Sequence, residues 1–179
     1  MPMLNERHPK ERRNLHDREQ RLRGMRLAVD SLEMSIYPLA DRLAGLRNRI
    51  QPALERKGMQ MQWNVRVSED MALPTGALAT EIFAILQETL GHVLQHSGPV
   101  QVTVTMAPVP GQGTWRFEVC DNGAGWADAA DAGGGQRVQG LHERARRAGL
   151  HLVCEALAQG GTRVCVEAPG HAAPALQAR

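Results

Sequence analysis

Aromatic side chains are scarce in this sequence, with two Phe, one Tyr and three Trp among 179 residues. A hydrophobic core must therefore rest on Leu, Val, Ile, Ala and Met. No apolar run reaches the ~20 residues that a membrane-spanning helix needs, and the basic N-terminus lacks the hydrophobic centre of a secretory signal. Nor is there a strong charge of one sign. The formal net charge is +2, which makes no case for a nucleic-acid partner. The Arg-rich stretch 7–26 has Glu11, Asp17 and Glu19 among its cations and reads as a solvated helix face. Cysteine is also sparse. Cys120, Cys154 and Cys165 are odd in number and lack metal-ligand spacing, so they read as small, reduced core residues. These absences point to a cytoplasmic protein with one good core and a helical extension.

What is present is periodic. Residues 1–14 are polar, with Pro2 and Pro9. Leu22, Met25, Val29, Leu32 and Ile36 recur at spacings of three and four, which predicts an amphipathic helix from about Leu15 that Pro38 ends or kinks. A second stripe, Leu39, Leu43, Leu46, Ile50 and Leu54, predicts another helix closed by Gly58, although Pro52 falls in its last turns. Two such stripes either pack on a domain or pair with a second copy, so a homodimer through the N-terminal helices is one expectation. Met59, Met61, Trp63, Val65 and Val67 alternate as a strand. A turn over 68–74, a helix from Thr75 to about His96, and strands at 100–106 and 115–119 follow, the last two as a hairpin. A helix over 138–148, a hairpin of 150–157 with 163–167, and a loose tail at 170–179 complete the chain. This order suggests one sheet with helices on a single face.

The strand at 115–119 runs into Asp121-Asn122-Gly123-Ala124-Gly125. A carboxylate at a strand end, followed by glycines that admit a ligand close to the backbone, suits a donor amino group. The same residues also read as an ordinary Asp-Asn-Gly turn. The surrounding order favours the first reading. Upstream lies Gln87-Glu88-Thr89-Leu90-Gly91-His92-Val93-Leu94-Gln95-His96; downstream come Gly133-Gly134-Gly135, Gly140-Leu141-His142-Glu143-Arg144-Ala145 and Gly160-Gly161-Thr162. Over roughly residues 59–169 this succession resembles the ATP-binding (HATPase_c) domain of sensor histidine kinases, in the GHKL superfamily. The helix resembles the N box, the Asp121 stretch the G1 box, and the glycine cluster the G2 lid. The Gly140–Ala145 run is similar to the subfamily paired with helix-turn-helix response regulators.

The resemblance implies an α+β fold, a two-layer α/β sandwich with a Bergerat-type mixed sheet and helices on one face, preceded by N-terminal helices. It divides the chain into a helical region at 1–57, the ATP-binding domain at 58–169 and a flexible tail at 170–179. It implies ATP as ligand with Mg2+ beside it. Asp121 would accept from the adenine amino group, Thr162 with Gly161 would support it through a water, and Gly123 and Gly125 would let the backbone pass close to the base. Glu88 takes the catalytic position of the N box. Gly135, Arg137, Gly140 and Leu141 fall in the lid. Asn14-Leu15-His16-Asp17 resembles the phosphoacceptor box, which makes His16 the candidate acceptor.

Several residues depart from that pattern. His92 stands where the family has the magnesium-holding asparagine, and imidazole is a poor ligand for a hard cation. Gln95 replaces a basic residue, and Arg137 replaces a lid glycine. His92 and His96, at i and i+4, have a spacing that also suits zinc, with no third ligand nearby in sequence. The segment between Asp17 and Met25 is short for the first helix of a dimerisation hairpin. The leading expectation is a two-component signalling protein that binds ATP and passes its γ-phosphoryl to a histidine, partnered by a response regulator. The alternative is a non-catalytic adaptor that docks a histidine kinase or response regulator. A switch kinase acting on serine would need the same missing asparagine.

Overall fold

The structure, a computed structural model, describes residues 37–96, 101–124 and 134–172. The chain divides into two compact units, Met1–Tyr37 and Pro38–Arg179. The first predicted helix and His16 lie outside the described residues.

The second unit begins with helix α1, Leu39–Glu55, whose leucine stripe predicts its inner face: Leu39, Leu43, Leu46 and Leu54 are buried. Pro52 is tolerated inside it because Pro52 and Asn48 are both exposed, so the carbonyl left without an amide partner can take water. Gly58, at φ +75°, turns the chain out of the helix, and the Met59 amide bonds back to the Leu54 carbonyl at 3.0 Å. The sequence reading grouped this helix with residues 1–57. Its four buried leucines instead join the core of the second unit, so this stripe packs on the domain.

Strand β1 (Gln60–Val65) is followed by a short β2 (Met71–Ala72), helix α2 (Gly76–His96), the hairpin of β3 (Gln101–Val109) and β4 (Thr114–Asp121), helix α3 (Gly134–Ala148), the hairpin of β5 (His151–Ala156) and β6 (Thr162–Pro169), and a short β7 (His171–Ala172). The main sheet has the order β1-β3-β4-β6-β5. β1 runs parallel to β3 through the α2 crossover, and all other pairs are antiparallel. The result is the expected α+β arrangement.

Alternation along the strands sorts the two faces. Val104 pairs with Val119, which pairs with Val164; Met106, Phe117 and Val166 form the next row. These residues are buried with Ile82, Phe83, Ile85, Leu86, Leu90 and Val93 of α2 and Leu141 and Ala145 of α3. The other face carries ion pairs, Arg116 with Glu167 at 2.8 Å and Arg163 with both Glu118 and Glu155 at 2.7 Å. Cys165 is buried, Cys120 and Cys154 are half-buried, and burial pushes the thiols of the latter two up to about 11, which leaves them protonated and unreactive at neutral pH.

Three local expectations change. Val65 and Val67 continue the alternation of β1 but are 50% and 82% exposed, because the strand ends before a partner layer covers them. α3 starts at Gly134 rather than near 138, taking part of the glycine cluster into its first turn. Residues 170–172 are not a loose tail: β7 pairs with β2, and a side chain at Gly170 would meet Met71 and Trp115. Trp115 Nε1 donates to the Ala72 carbonyl at 3.0 Å and fixes this corner. Two-residue strands are too short for periodicity to reveal.

Candidate nucleotide-binding site

Asp121 closes β4 on the same face as Trp115, Phe117 and Val119, so strand alternation alone sends its carboxylate inward. It is only 5% exposed. Its Oδ1 accepts from the Gly123 amide at 2.9 Å, and the Thr162 amide also donates to the carboxylate. Burial raises the pKa of this group, and the two backbone donors only partly offset that rise. Asn122 pins the following loop to β3, accepting from the Gln101 amide at 2.7 Å and donating to its carbonyl at 3.3 Å.

The Gly160-Gly161-Thr162 turn lies directly on this loop. Gly161 has φ +95°, and a Cβ there would collide with the Asp121 carbonyl and sit 2.7 Å from the Asn122 Cα. Only glycine permits both the conformation and the approach. Thr162, 3% exposed, begins β6 beside Asp121, and its Oγ1 is buried without a hydrogen-bond partner. The site therefore presents a buried carboxylate with an orphaned hydroxyl next to it. A ligand that brings a donor amino group and an ordered water suits both.

On α2, Thr89 is absorbed by its own helix through a 2.8 Å bond to the Ile85 carbonyl. Glu88 and Gln95 are exposed, while His92 is 6% exposed. Arg137, half-buried in the first turn of α3, reaches His92 Nδ1 at 3.3 Å. Further along, Arg144 of α3 pairs with Glu81 of α2 at 2.7 Å. Gly135 and Gly140 lie on α3 with open space where a Cβ would stand, and Leu141 is completely buried in the core. His96 ends α2. Among the described residues no group of three His, Cys, Asp or Glu could hold a metal. Gly125 and His16 lie outside the described residues.

Sequence reasoning named Asp121, Gly123, Gly161 and Thr162, and the structure brings these four together. It placed no contact between His92 and Arg137, which are 45 positions apart. It also missed Gln101, whose backbone anchors the Asp121 loop.

No protein-family model and no curated protein matches the chain by sequence. Solved structures do match. The blue-light activated histidine kinase EL346 of Erythrobacter litoralis superposes with a TM-score of 0.57 at 19% identity, over 84% of this chain and 53% of that one. Full-length ShkA in complex with AMPPNP gives 0.60 at 23% identity, over 79% and 32%. The cytoplasmic segment of histidine kinase QseC gives 0.55 at 17% identity, over 96% and 99%. The chain has the histidine kinase ATP-binding fold. It spans about half the length of the EL346 kinase and a third of ShkA. Among the described residues no helix is long and apolar enough to cross a membrane.

Proposed function

We propose that this chain acts in two-component signalling as a histidine-kinase-like protein that binds ATP in the site around Asp121. The observation that carries this reading is the apposition of Gly161 and Thr162 on Asp121, with the Thr162 hydroxyl buried and unpartnered. An ionised carboxylate only accepts hydrogen bonds, so it pairs with the amino group of adenine and leaves the corresponding carbonyl of guanine facing a repelling oxygen. The Thr162 hydroxyl orders a water against the ring. Gly123, already engaged through its amide, keeps the loop backbone close to the base.

In the reaction the bond between the γ-phosphorus and its bridging oxygen breaks, a bond to an imidazole nitrogen forms, and ADP leaves. His16 is the candidate acceptor, in this chain or a second copy. Glu88, exposed on α2, would polarise the acceptor. A response regulator would take the phosphoryl group in turn.

Incubating the full chain with ATP labelled at the γ-phosphate, after measuring ATP and GTP affinity by equilibrium dialysis, tests both parts. We expect ATP to bind at least about tenfold more tightly than GTP, the equivalent of one discriminating hydrogen bond. Equal affinities would overturn the adenine reading. Acid-labile label on the protein supports phosphotransfer. ATP binding without label leaves the adaptor that docks a kinase or regulator.

A further inference from the structure

We infer that the flank formed by α1 and the outer edge of β1 is where this chain meets a second copy of itself, the two related by a two-fold axis with their α1 helices antiparallel. This contact does not depend on what the Asp121 site binds.

α1 returns directly into β1 through Gly58, and the Met59 amide bonds back to the Leu54 carbonyl at 3.0 Å, so helix and strand run side by side in opposite directions. α2 covers one side of this pair. Arg42 of α1 donates to Thr80 Oγ1 of α2 at 3.2 Å and stacks on the Phe83 ring at 4.4 Å. Gln51 follows Arg42 by about two and a half helical turns, which puts it on the opposite side of α1, away from α2. β1 is the outermost strand of its sheet and pairs only with β3. The Arg66 amide donates to the Met106 carbonyl at 2.8 Å, so by alternation the amides of Met61, Trp63 and Val65 point out of the sheet edge. Charge, proline or a bulge normally blunts such an edge. Gln60–Val65 has none of these: every residue is neutral and the register with β3 is unbroken. The opposite edge strand, β5, carries Glu155, paired with Arg163 at 2.7 Å. In the second unit, Val65 and Val67 are the large apolar side chains left exposed among the described residues, and both lie at the end of this strand.

The charges on α1 select a second copy as the occupant. Arg47, Gln51 and Glu55 form one row at spacings of four, held by bonds from Arg47 Nε to Gln51 Oε1 at 3.1 Å and from Gln51 Nε2 to Glu55 Oε1 at 2.9 Å. One end of the row is cationic, the other anionic, and the centre is an amide. Turned end for end about Gln51, the row meets itself with Arg47 opposite Glu55 of the second copy, and a two-fold axis makes that pairing twice. A partner of one charge sign would leave one end of the row facing its like. The strand is self-complementary in the same way. Gln60, Gln62 and Asn64 share one face of β1, and carboxamides both donate and accept, so a reversed copy offers matching groups.

Sedimentation velocity of the full chain over a concentration series tests the inference. The proteins are wild type, Arg47→Glu, Glu55→Arg, the double exchange Arg47→Glu/Glu55→Arg, and Gln62→Lys, with circular dichroism confirming the fold of each. All three positions are exposed, so the changes leave the core untouched. Wild type should pass from monomer to dimer as concentration rises. Each single exchange sets like charges against each other at both ends of the row and should weaken the dimer at least about tenfold. The double exchange restores opposite charges and should return affinity to within about threefold of wild type. Gln62→Lys puts a cation on each of the facing strand edges and should also weaken the dimer. A wild type that stays monomeric at every concentration overturns the inference. So does a double exchange that fails to recover, or a dimer that ignores these substitutions, the result expected if residues 1–36 hold the copies together.

Discussion

Gly161 shows how much of the site depends on one missing side chain. Its left-handed φ and its contact with the Asp121 carbonyl are separate obstacles to substitution. Gly161→Ala should cost roughly 2–4 kcal/mol, the sum of a positive-φ penalty and of overpacking against backbone that cannot give way. Urea unfolding measures it, and a loss below 1 kcal/mol would mean the turn can lift off the loop. Asp121 carries the opposite kind of cost. Its raised pKa means that the folded state binds its proton more tightly than the unfolded state does. Relative to Asp121→Asn, which cannot titrate there, wild-type stability should rise as pH falls through the raised value, the gain being complete below the ordinary value of 3.8. Melting both proteins across that range checks the sign. Asp121 was legible in sequence because strand alternation and two glycines mark it. The contact made by Gly161 was not, since forty residues and a helix lie between the two segments and no local pattern sets their separation.

At the scale of elements, the helices were readable wherever a stripe of apolar residues faced one core. α1 and α2 follow their leucine and isoleucine stripes closely. The start of α3 was obscured because Gly134 and Gly135 are poor helix formers, and an N-terminus that admits them is set by context rather than propensity. The partner of the α1 stripe was equally open in sequence. The structure spends it on α2 and the sheet. The bridge from Arg144 to Glu81 couples α3 to α2 but is about a third exposed on each side. Glu81→Gln should therefore destabilise by less than about 1 kcal/mol, as exposed ion pairs do. A larger loss in chemical denaturation would show that the pair positions α3 more strongly than its exposure implies.

For the whole molecule, the fold is that of histidine kinase ATP-binding domains. The compact unit starts at Pro38, so removing residues 1–37 should leave a folded domain that binds adenosine. Removing residues 1–57 takes away Leu39, Leu43, Leu46 and Leu54. Each buried leucine is worth about 2–5 kcal/mol, and their sum matches the whole stability of a small domain, about 5–15 kcal/mol. That truncation should not fold, as circular dichroism would show; a cooperative melt would contradict the packing of α1. The mixed sheet was expected from the succession of motifs, because strand alternation and glycine positions are legible in sequence. The contact between His92 and Arg137 was not legible in sequence, because it joins two helices 45 positions apart. The most direct test of the account is ATP affinity for wild type against Asp121→Asn, with circular dichroism confirming that both are folded. The account predicts an affinity about ten- to hundredfold weaker in the variant, the worth of one charged hydrogen bond. Equal affinity in a folded Asp121→Asn protein would remove Asp121 from the site and contradict the account at its centre.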